Sequence, residues 1–310
     1  MKILVLGAGG LGGYFGGRLV QAGADVTFLV RKRRQELLAA HGLRIKSTFG
    51  DYSGPVKTVL EGEVGDTQWD VVIVSCKAYD LDLAIEAIRP AVGATTAVLP
   101  LLNGIRHVER LSEVFGKAHV LGGLAKIVSM VDAEGIVQHL NDWCSITFGE
   151  QDGRMSDRVL QLQALFPAES VRASAVPDIQ HKMWEKFVHL ATVAGMASLM
   201  RASVGEIASV PGGSELLLRF LESNAAVAKA EGYPISESFL QEYRKLFHDR
   251  ESKYVPSLLR DVEQRKRCEG DHILGHMLAL VKKHGMDASL HELVGINLQA
   301  YEIRRLAGRF

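Results

Sequence analysis

The chain opens Met1-Lys-Ile-Leu-Val-Leu-Gly-Ala-Gly-Gly-Leu-Gly-Gly-Tyr-Phe-Gly-Gly17, and no other stretch limits the fold as strongly. Lys2 to Leu6 is a short apolar run with β-branched residues, cut off by glycine, which reads as a buried strand. Gly7 to Gly12 then spells GxGxxG, and Tyr14 to Gln21 continues as a helix. Between a strand and a helix each glycine has its own task. Gly7 makes the tight turn, Gly9 lets the backbone approach a pyrophosphate, and Gly12 lets the helix pack on the strand. The diphosphate would sit at the helix N-terminus, where N–H groups without intrahelical acceptors and the macrodipole favour negative charge. The loop Gly7, Ala8, Gly9, Gly10, Leu11 and Gly12 is therefore assigned to a dinucleotide.

The next strand, Asp25 to Val30, bears on which dinucleotide. A carboxylate after this strand would hold a ribose 2′-hydroxyl and repel a 2′-phosphate. The chain has Arg31-Lys-Arg-Arg34 there instead. Arg31, first after the strand, can grip a 2′-phosphate with a charge-assisted fork, so the expected cofactor is NADP(H) rather than NAD(H). Lys32 to Arg34 read partly as the solvated start of a helix.

Composition narrows the remaining classes. The 36 basic residues balance 36 acidic ones, so no global field recruits nucleic acid or an anionic membrane surface. No apolar run reaches the roughly 20 residues needed to span a bilayer, and the N-terminal run ends in the glycine loop rather than in a signal-peptide pattern. Cys76, Cys144 and Cys268 are far apart and lack CxxC spacing, which fits reduced thiols in a cytoplasmic protein. Cys76 beside Lys77 reads as a small buried residue more readily than as a reactive thiolate. The histidines have no ligand spacing, so no metal site is expected.

At 310 residues there is room for two domains. Alternating strand and helix patterns run to about Val176: short strands at Leu43–Lys46 and Val56–Val59 around the turn-rich Gly50–Pro55, a buried strand at Trp69–Ser75, a helix at Leu81–Ile88, and a strand at Thr95–Leu102. β-rich segments follow from Val120 to Phe148, then a helix at Asp157–Leu165. Such alternation implies an α/β Rossmann domain with a mostly parallel sheet over 1–176. From Pro177 onward nearly every segment has a helical period: Ile179–Met200, Ser214–Glu231, Ser236–Asp249, Leu258–Arg267, Asp271–His284 and Leu290–Leu306. Residues 177–310 are expected to form an all-α domain for substrate and dimerisation. Its apolar stripes fit a homodimer, though core packing explains them equally well.

A dinucleotide fold does not name a reaction. Lys77 and Asn103-Gly104 each follow a strand at the carboxyl edge where open α/β sheets bind ligands, and each is either a ligand contact or a loop polar group. Lys186, in Trp184-Glu-Lys-Phe, either snorkels or, in a dehydrated cleft, becomes a proton donor. Ser257 and Glu269 read by themselves as solvated polar groups.

Together these pieces resemble the ketopantoate reductases (2-dehydropantoate 2-reductases) over essentially the whole chain. The matching elements are GAGGLGG, Arg31, Ser-Cys-Lys77-Ala-Tyr, Leu-Asn103-Gly, Trp184-Glu-Lys186, Gly205-Glu-Ile, Ser257-Leu-Leu-Arg-Asp261, Glu269 and Gly275. The resemblance implies Lys186 as general acid and as a substrate contact. It implies Lys77 and Asn103 at the nicotinamide side of the cofactor or at the substrate, Ser257 at the substrate and Glu269 at the cofactor. It implies NADPH-dependent reduction of a 2-oxo acid to a 2-hydroxy acid, ketopantoate to pantoate, in the supply of a coenzyme A precursor. The pattern departs where the family usually has asparagine four and eight residues after the lysine and before the Gly-Glu pair: here stand Leu190, Ala194 and Val204. Lys186, Leu190 and Ala194 share one helix face, with His189 and Thr192 as neighbouring polar groups. A less hydroxylated 2-oxo acid, or a non-catalytic NADP(H)-binding sensor, are the alternatives that departure opens.

Overall fold

The protein, here a computed structural model, is described over residues 1–309. It starts with β1 (Lys2–Leu6), α1 (Gly10–Gln21), β2 (Asp25–Leu29) and α2 (Lys32–His41). Three short strands follow, β3 (Leu43–Lys46), β4 (Tyr52–Gly54) and β5 (Lys57–Val59), and then β6 (Val71–Val74), α3 (Leu81–Ile88), β7 (Ala97–Pro100) and α4 (Arg106–Phe115). The central sheet has the order β5-β2-β1-β6-β7, and every neighbouring pair is parallel. Its middle strands are apolar without alternation because both faces are covered; all four residues of β6 and of β7 are buried. Chain order reverses between β1 and β6, the switch point where such sheets bind ligands.

Two smaller sheets complete this unit. They use β8 (Leu121–Lys126), β9 (Ser129–Val131), β10 (Val137–His139), β11 (Ser145–Glu150) and β12 (Arg172–Ala175), with α5 (Asp157–Leu165) before the last strand. One has the order β4-β3-β10-β9; the other, β12-β11-β8, is antiparallel between β11 and β8. Helix α1 is held between the central sheet and the β3/β10 sheet. A Cβ on Gly16 would lie 2.7 Å from the Phe28 ring on one side, and one on Gly17 would lie 2.6 Å from Ile45 on the other. The segment read as a turn around Gly50–Pro55 contains β4, whose Tyr52 and Gly54 pair with Ile45 and Leu43. Three residues of partly exposed edge strand leave too little pattern to see in sequence.

The helical part comprises α6 (Ile179–Met200), α7 (Val204–Ser209), α8 (Gly213–Ala230), α9 (Glu237–His248), α10 (Ser257–Glu263), α11 (His276–Lys283) and α12 (Ser289–Leu306). The helix expected from Asp271 begins instead with a π-helical turn, Asp271–Gly275. The chain divides into two compact units, residues 1–102 with 107–179, and residues 103–106 with 180 onward. The sequence pattern places 103–106 with the first domain, and the difference has a local cause. Gly104 (φ +82°) lets its turn meet His272, whose ring would lie 2.9 Å from a Cβ there, while Ile105 packs on the helical core. No helix among the described residues is long and apolar enough to cross a membrane.

A buried hydrogen-bond chain fixes three helices of this unit. His291 Nε2 lies 3.0 Å from Asn224 Oδ1, Asn224 Nδ2 donates to Thr192 Oγ1 at 3.0 Å, and Thr192 donates to the Val188 carbonyl at 2.8 Å. The Asn224 oxygen can only accept, so His291 Nε2–H is the donor, and burial favours the neutral ring. Burial lowers its pKa from 6.5 to about 4, against a weaker opposing pull from Asp287. The unfolded chain therefore takes up this proton first, and stability falls as pH drops from above 6.5 towards about 4. The loss from His291 should be of the order of ~3 kcal/mol over that window. Urea unfolding of His291→Gln, which keeps a donor and removes the titration, should show a smaller drop in midpoint between neutral and acidic pH than the parent.

Candidate active site

The glycine loop sits at the sheet's switch point. Gly7 adopts φ +86°, and its N–H donates to the Leu29 carbonyl at 2.9 Å, tying the loop to the end of β2. A Cβ on Gly12 would overlap the Gly7 carbonyl oxygen and Ser75 Oγ, so only glycine lets α1 come this close. Ser75 in turn donates to the Leu6 carbonyl at 2.9 Å, closing β6 onto β1. Gly10 meets the Ser129 carbonyl of β9, 2.7 Å from where its Cβ would be. Gly9 differs from these. It is the N-cap of α1 with an ordinary φ of −82°, and a Cβ there would meet nothing within 4 Å. Its surroundings thus form a cradle at the head of a helix whose first turn has no acidic residue. The first-turn N–H groups lack intrahelical acceptors. These features fit a diphosphate.

Arg31 is exposed at the N-cap of α2, two residues after the Leu29 carbonyl that holds Gly7. Arg34 is the residue that sequence reasoning missed, having read it as part of a solvated helix start. Its Nη2 donates to the Ala8 carbonyl and its Nη1 to the Gly135 carbonyl, both at 2.9 Å. It is half-buried, and burial together with the nearby Arg44 lowers its pKa. Arg34 pins the glycine loop to the turn between β9 and β10. No local pattern announces a contact spanning 26 and 101 residues. Lys77 is exposed just beyond β6, at the same carboxyl edge.

The other expected residues lie in the helical unit. Asn103 is half-buried, and His272 hydrogen-bonds its backbone. His272 also feels Glu269 and Arg106, but burial dominates and lowers its pKa. Glu269 is 6% exposed, which corrects its reading as a solvated charge. It precedes the π-helical turn, and its carbonyl accepts from Ile273 N at 3.1 Å. Ser257 is exposed, as a solvated polar group would be, at the first position of α10. Lys186 is half-buried on α6, flanked by the buried Trp184 and Phe187.

The apolar replacements on this face have a structural use. Ala194 and Val204 are buried in the helical core and Leu190 packs against it. Thr192 is spent in the His291 chain and cannot serve a ligand. Cys144 and Cys268 are buried thiols raised by burial to about 12 and about 11, and Cys76 is half-buried. No group of three or more His, Cys, Asp or Glu among the described residues is placed to hold a metal ion.

A parallel sheet with a glycine cradle at its switch point, followed by a helical domain, defines a Rossmann-type dinucleotide-binding protein. The family model for ketopantoate reductase PanE/ApbA matches residues 3–153, and that for the family's C-terminal domain matches 178–302; the chain belongs to this family. It is 35% identical over 305 residues to the uncharacterized oxidoreductase YkpB of Bacillus subtilis (strain 168), covering 98% of this chain and 100% of that one. It is 25% identical to the 2-dehydropantoate 2-reductase of Aquifex aeolicus (strain VF5), covering 99% and 98% of the two chains. The crystal structure of 2-dehydropantoate 2-reductase from Geobacter metallireducens GS-15 superimposes with a TM-score of 0.86 at 29% identity, over 97% of this chain and 99% of that one.

The contrast between Gly9 and Gly12 is testable. Gly9→Val should leave the thermal midpoint within about 2 °C of the parent but weaken dinucleotide binding at least tenfold, because the added carbons enter only the cradle. Gly12→Val should lose stability itself, since overpacking against backbone costs on the order of 3 kcal/mol. Thermal melts and nucleotide titrations of the two variants would separate the effects.

Proposed function

We propose that the chain reduces a 2-oxo acid to a 2-hydroxy acid with NADPH, the named substrate being ketopantoate and the product pantoate. The observation that carries this reading is the open cradle over Gly9 in a chain that the two family models match over residues 3–153 and 178–302. The Gly7–Gly12 loop and the head of α1 would hold the diphosphate, and Arg31 the 2′-phosphate. Lys77, Asn103 and Glu269 would contact the remainder of the cofactor. When bound, the reduced nicotinamide supplies hydride to the 2-keto carbon.

The chain's own part is proton and charge management. Lys186 Nζ donates its proton to the oxygen on C2 as that oxygen becomes an alkoxide, and its positive charge stabilises the developing negative one. Lys186 is itself half-buried, and partial removal from water strengthens both effects. Ser257 and Asn103 would orient the acid, and a held geometry is itself worth several kcal/mol of barrier.

Turnover is read as loss of nicotinamide absorbance with ketopantoate, beside 2-oxo acids with unhydroxylated tails. Preference for an unhydroxylated acid would keep the chemistry and move the substrate, a reading favoured by the apolar Leu190. Silence on every acid with intact NADPH binding would favour a sensor. Lys186→Ala should lower kcat by at least about 100-fold while NADPH affinity stays within a few-fold, the usual size of a lost general acid. Unchanged turnover would remove Lys186 from the mechanism. Arg31→Ala should weaken NADPH about 10- to 100-fold, as expected for a lost charge-assisted contact, and NADH hardly at all. Equal losses for both nucleotides would take the 2′-phosphate away from Arg31.

A further inference from the structure

In the middle of α6 half-buried and buried positions alternate along the helix. Lys186, His189 and Leu190 are half-buried, whereas Phe187, Val188 and Ala191 between and after them are buried. His189 lies three residues from Lys186, so the two side chains are neighbours on the helix surface. Its Nε2 is 3.0 Å from the Tyr254 hydroxyl, and its ring lies 4.7 Å from the Tyr243 ring and 5.7 Å from the Tyr254 ring. Tyr254 is itself pinned, because its carbonyl accepts from Val204 N at 3.1 Å. It stands three residues before Ser257, and as a whole residue it is 36% exposed.

We propose that His189 and Tyr254 form a specificity element that recognises a hydroxyl on the tail of the 2-oxo acid. The inference rests on the reading of the reaction given above and adds the group that chooses its substrate. The hydrogen-bond chemistry is that of an amide in two pieces. When the phenol donates to Nε2, its oxygen still accepts. When the other imidazole tautomer donates to that oxygen, the phenol proton is available to a ligand. The pair can therefore both give and take, as a hydroxyl requires. Burial raises the Tyr254 pKa above the ordinary phenol value, so the proton stays in place across neutral pH. The two tyrosine rings hold the imidazole in one orientation, which lowers the entropy lost on binding. Binding of an acid without the hydroxyl would leave these polar groups without that partner, and it is this loss that discriminates.

The test compares ketopantoate with 3,3-dimethyl-2-oxobutanoate, which differs from it only in lacking the tail hydroxyl. Tyr254→Phe removes the phenol oxygen and keeps the ring. The parent should prefer ketopantoate, and the variant should reduce the ratio of the two kcat/KM values about 10- to 100-fold, mainly through KM for ketopantoate. His189→Leu should reduce the same ratio. Equal losses on both acids would show a packing role and overturn the proposal, as would an unchanged ratio. A parent that prefers the unhydroxylated acid would overturn it while leaving the reductase reading intact. A parent silent on both acids would overturn the two together, and that failure is recognised because it appears before any substitution is made.

Discussion

Helix α1 has almost no thickness to spare on two of its faces, and the first unit is built around that fact. Towards the central sheet, Gly12 and Gly16 bring the helix backbone against Val5, the Gly7 carbonyl and the Phe28 ring. Towards the second sheet, Gly13 and Gly17 admit Val137, Leu43 and Ile45. Each pair is four residues apart and so lies along one helix face. Side chains on those faces would push the helix from either sheet and withdraw its N-terminus from the loop. The close approach that makes the fold compact therefore also sets the direction of the first-turn N–H groups. In this unit the packing of the core and the binding of an anion depend on one geometry.

That geometry is held at its open end by polar contacts. Ser75 closes β6 onto β1, Gly7 bonds to the end of β2, and Arg34 joins the Ala8 carbonyl to the β9–β10 turn. Two neutral carbonyls satisfy donors of Arg34 but, among the described residues, leave its charge uncompensated at contact distance. Asp132 contributes only at longer range, against the like charge of Arg44. A half-buried cation of this kind raises the local potential beside the loop and adds to the pull of the helix terminus on an anion. Arg31, one helical turn earlier, is exposed beside the same end of β2.

Several helices with strong local signals could be read from sequence to the residue, and the central strands to within two. Helices α3, α5 and α6 have the spans their apolar periods predict, and β6 and β7 are the uninterrupted apolar runs of a doubly covered sheet. Two missed helices did carry signals. In α4, Val108, Leu111 and Phe115 are spaced by three and four, and α7 begins with a Ser203–Glu206 capping box. Other features had none, because they depend on residues distant in the chain. The burial of Glu269 depends on how the π-helical turn packs, with Gly270 giving way to Leu298 of α12. The grouping of residues 103–106 with the helical unit depends on His272.

The departures from the family pattern on α6 take their meaning from the same distinction between local and distant constraints. Sequence places Leu190, Ala194 and Val204 where amides are usual, and from spacing alone the loss reads as a pocket stripped of hydrogen bonds. Ala194 and Val204 are fully buried members of the apolar core, where an amide would need hydrogen-bond partners to offset its desolvation. An apolar residue at those two buried positions removes a desolvation cost from folding. Only Leu190 is half-buried, and it stands beside His189, whose ring is already fixed by Tyr243 and Tyr254. On the proposal made above, polar recognition near Lys186 would pass from amides on the helix to a ring on the helix and a phenol on a neighbouring segment. Such an arrangement joins substrate choice to the packing of the segment before α10, whose first residue is Ser257.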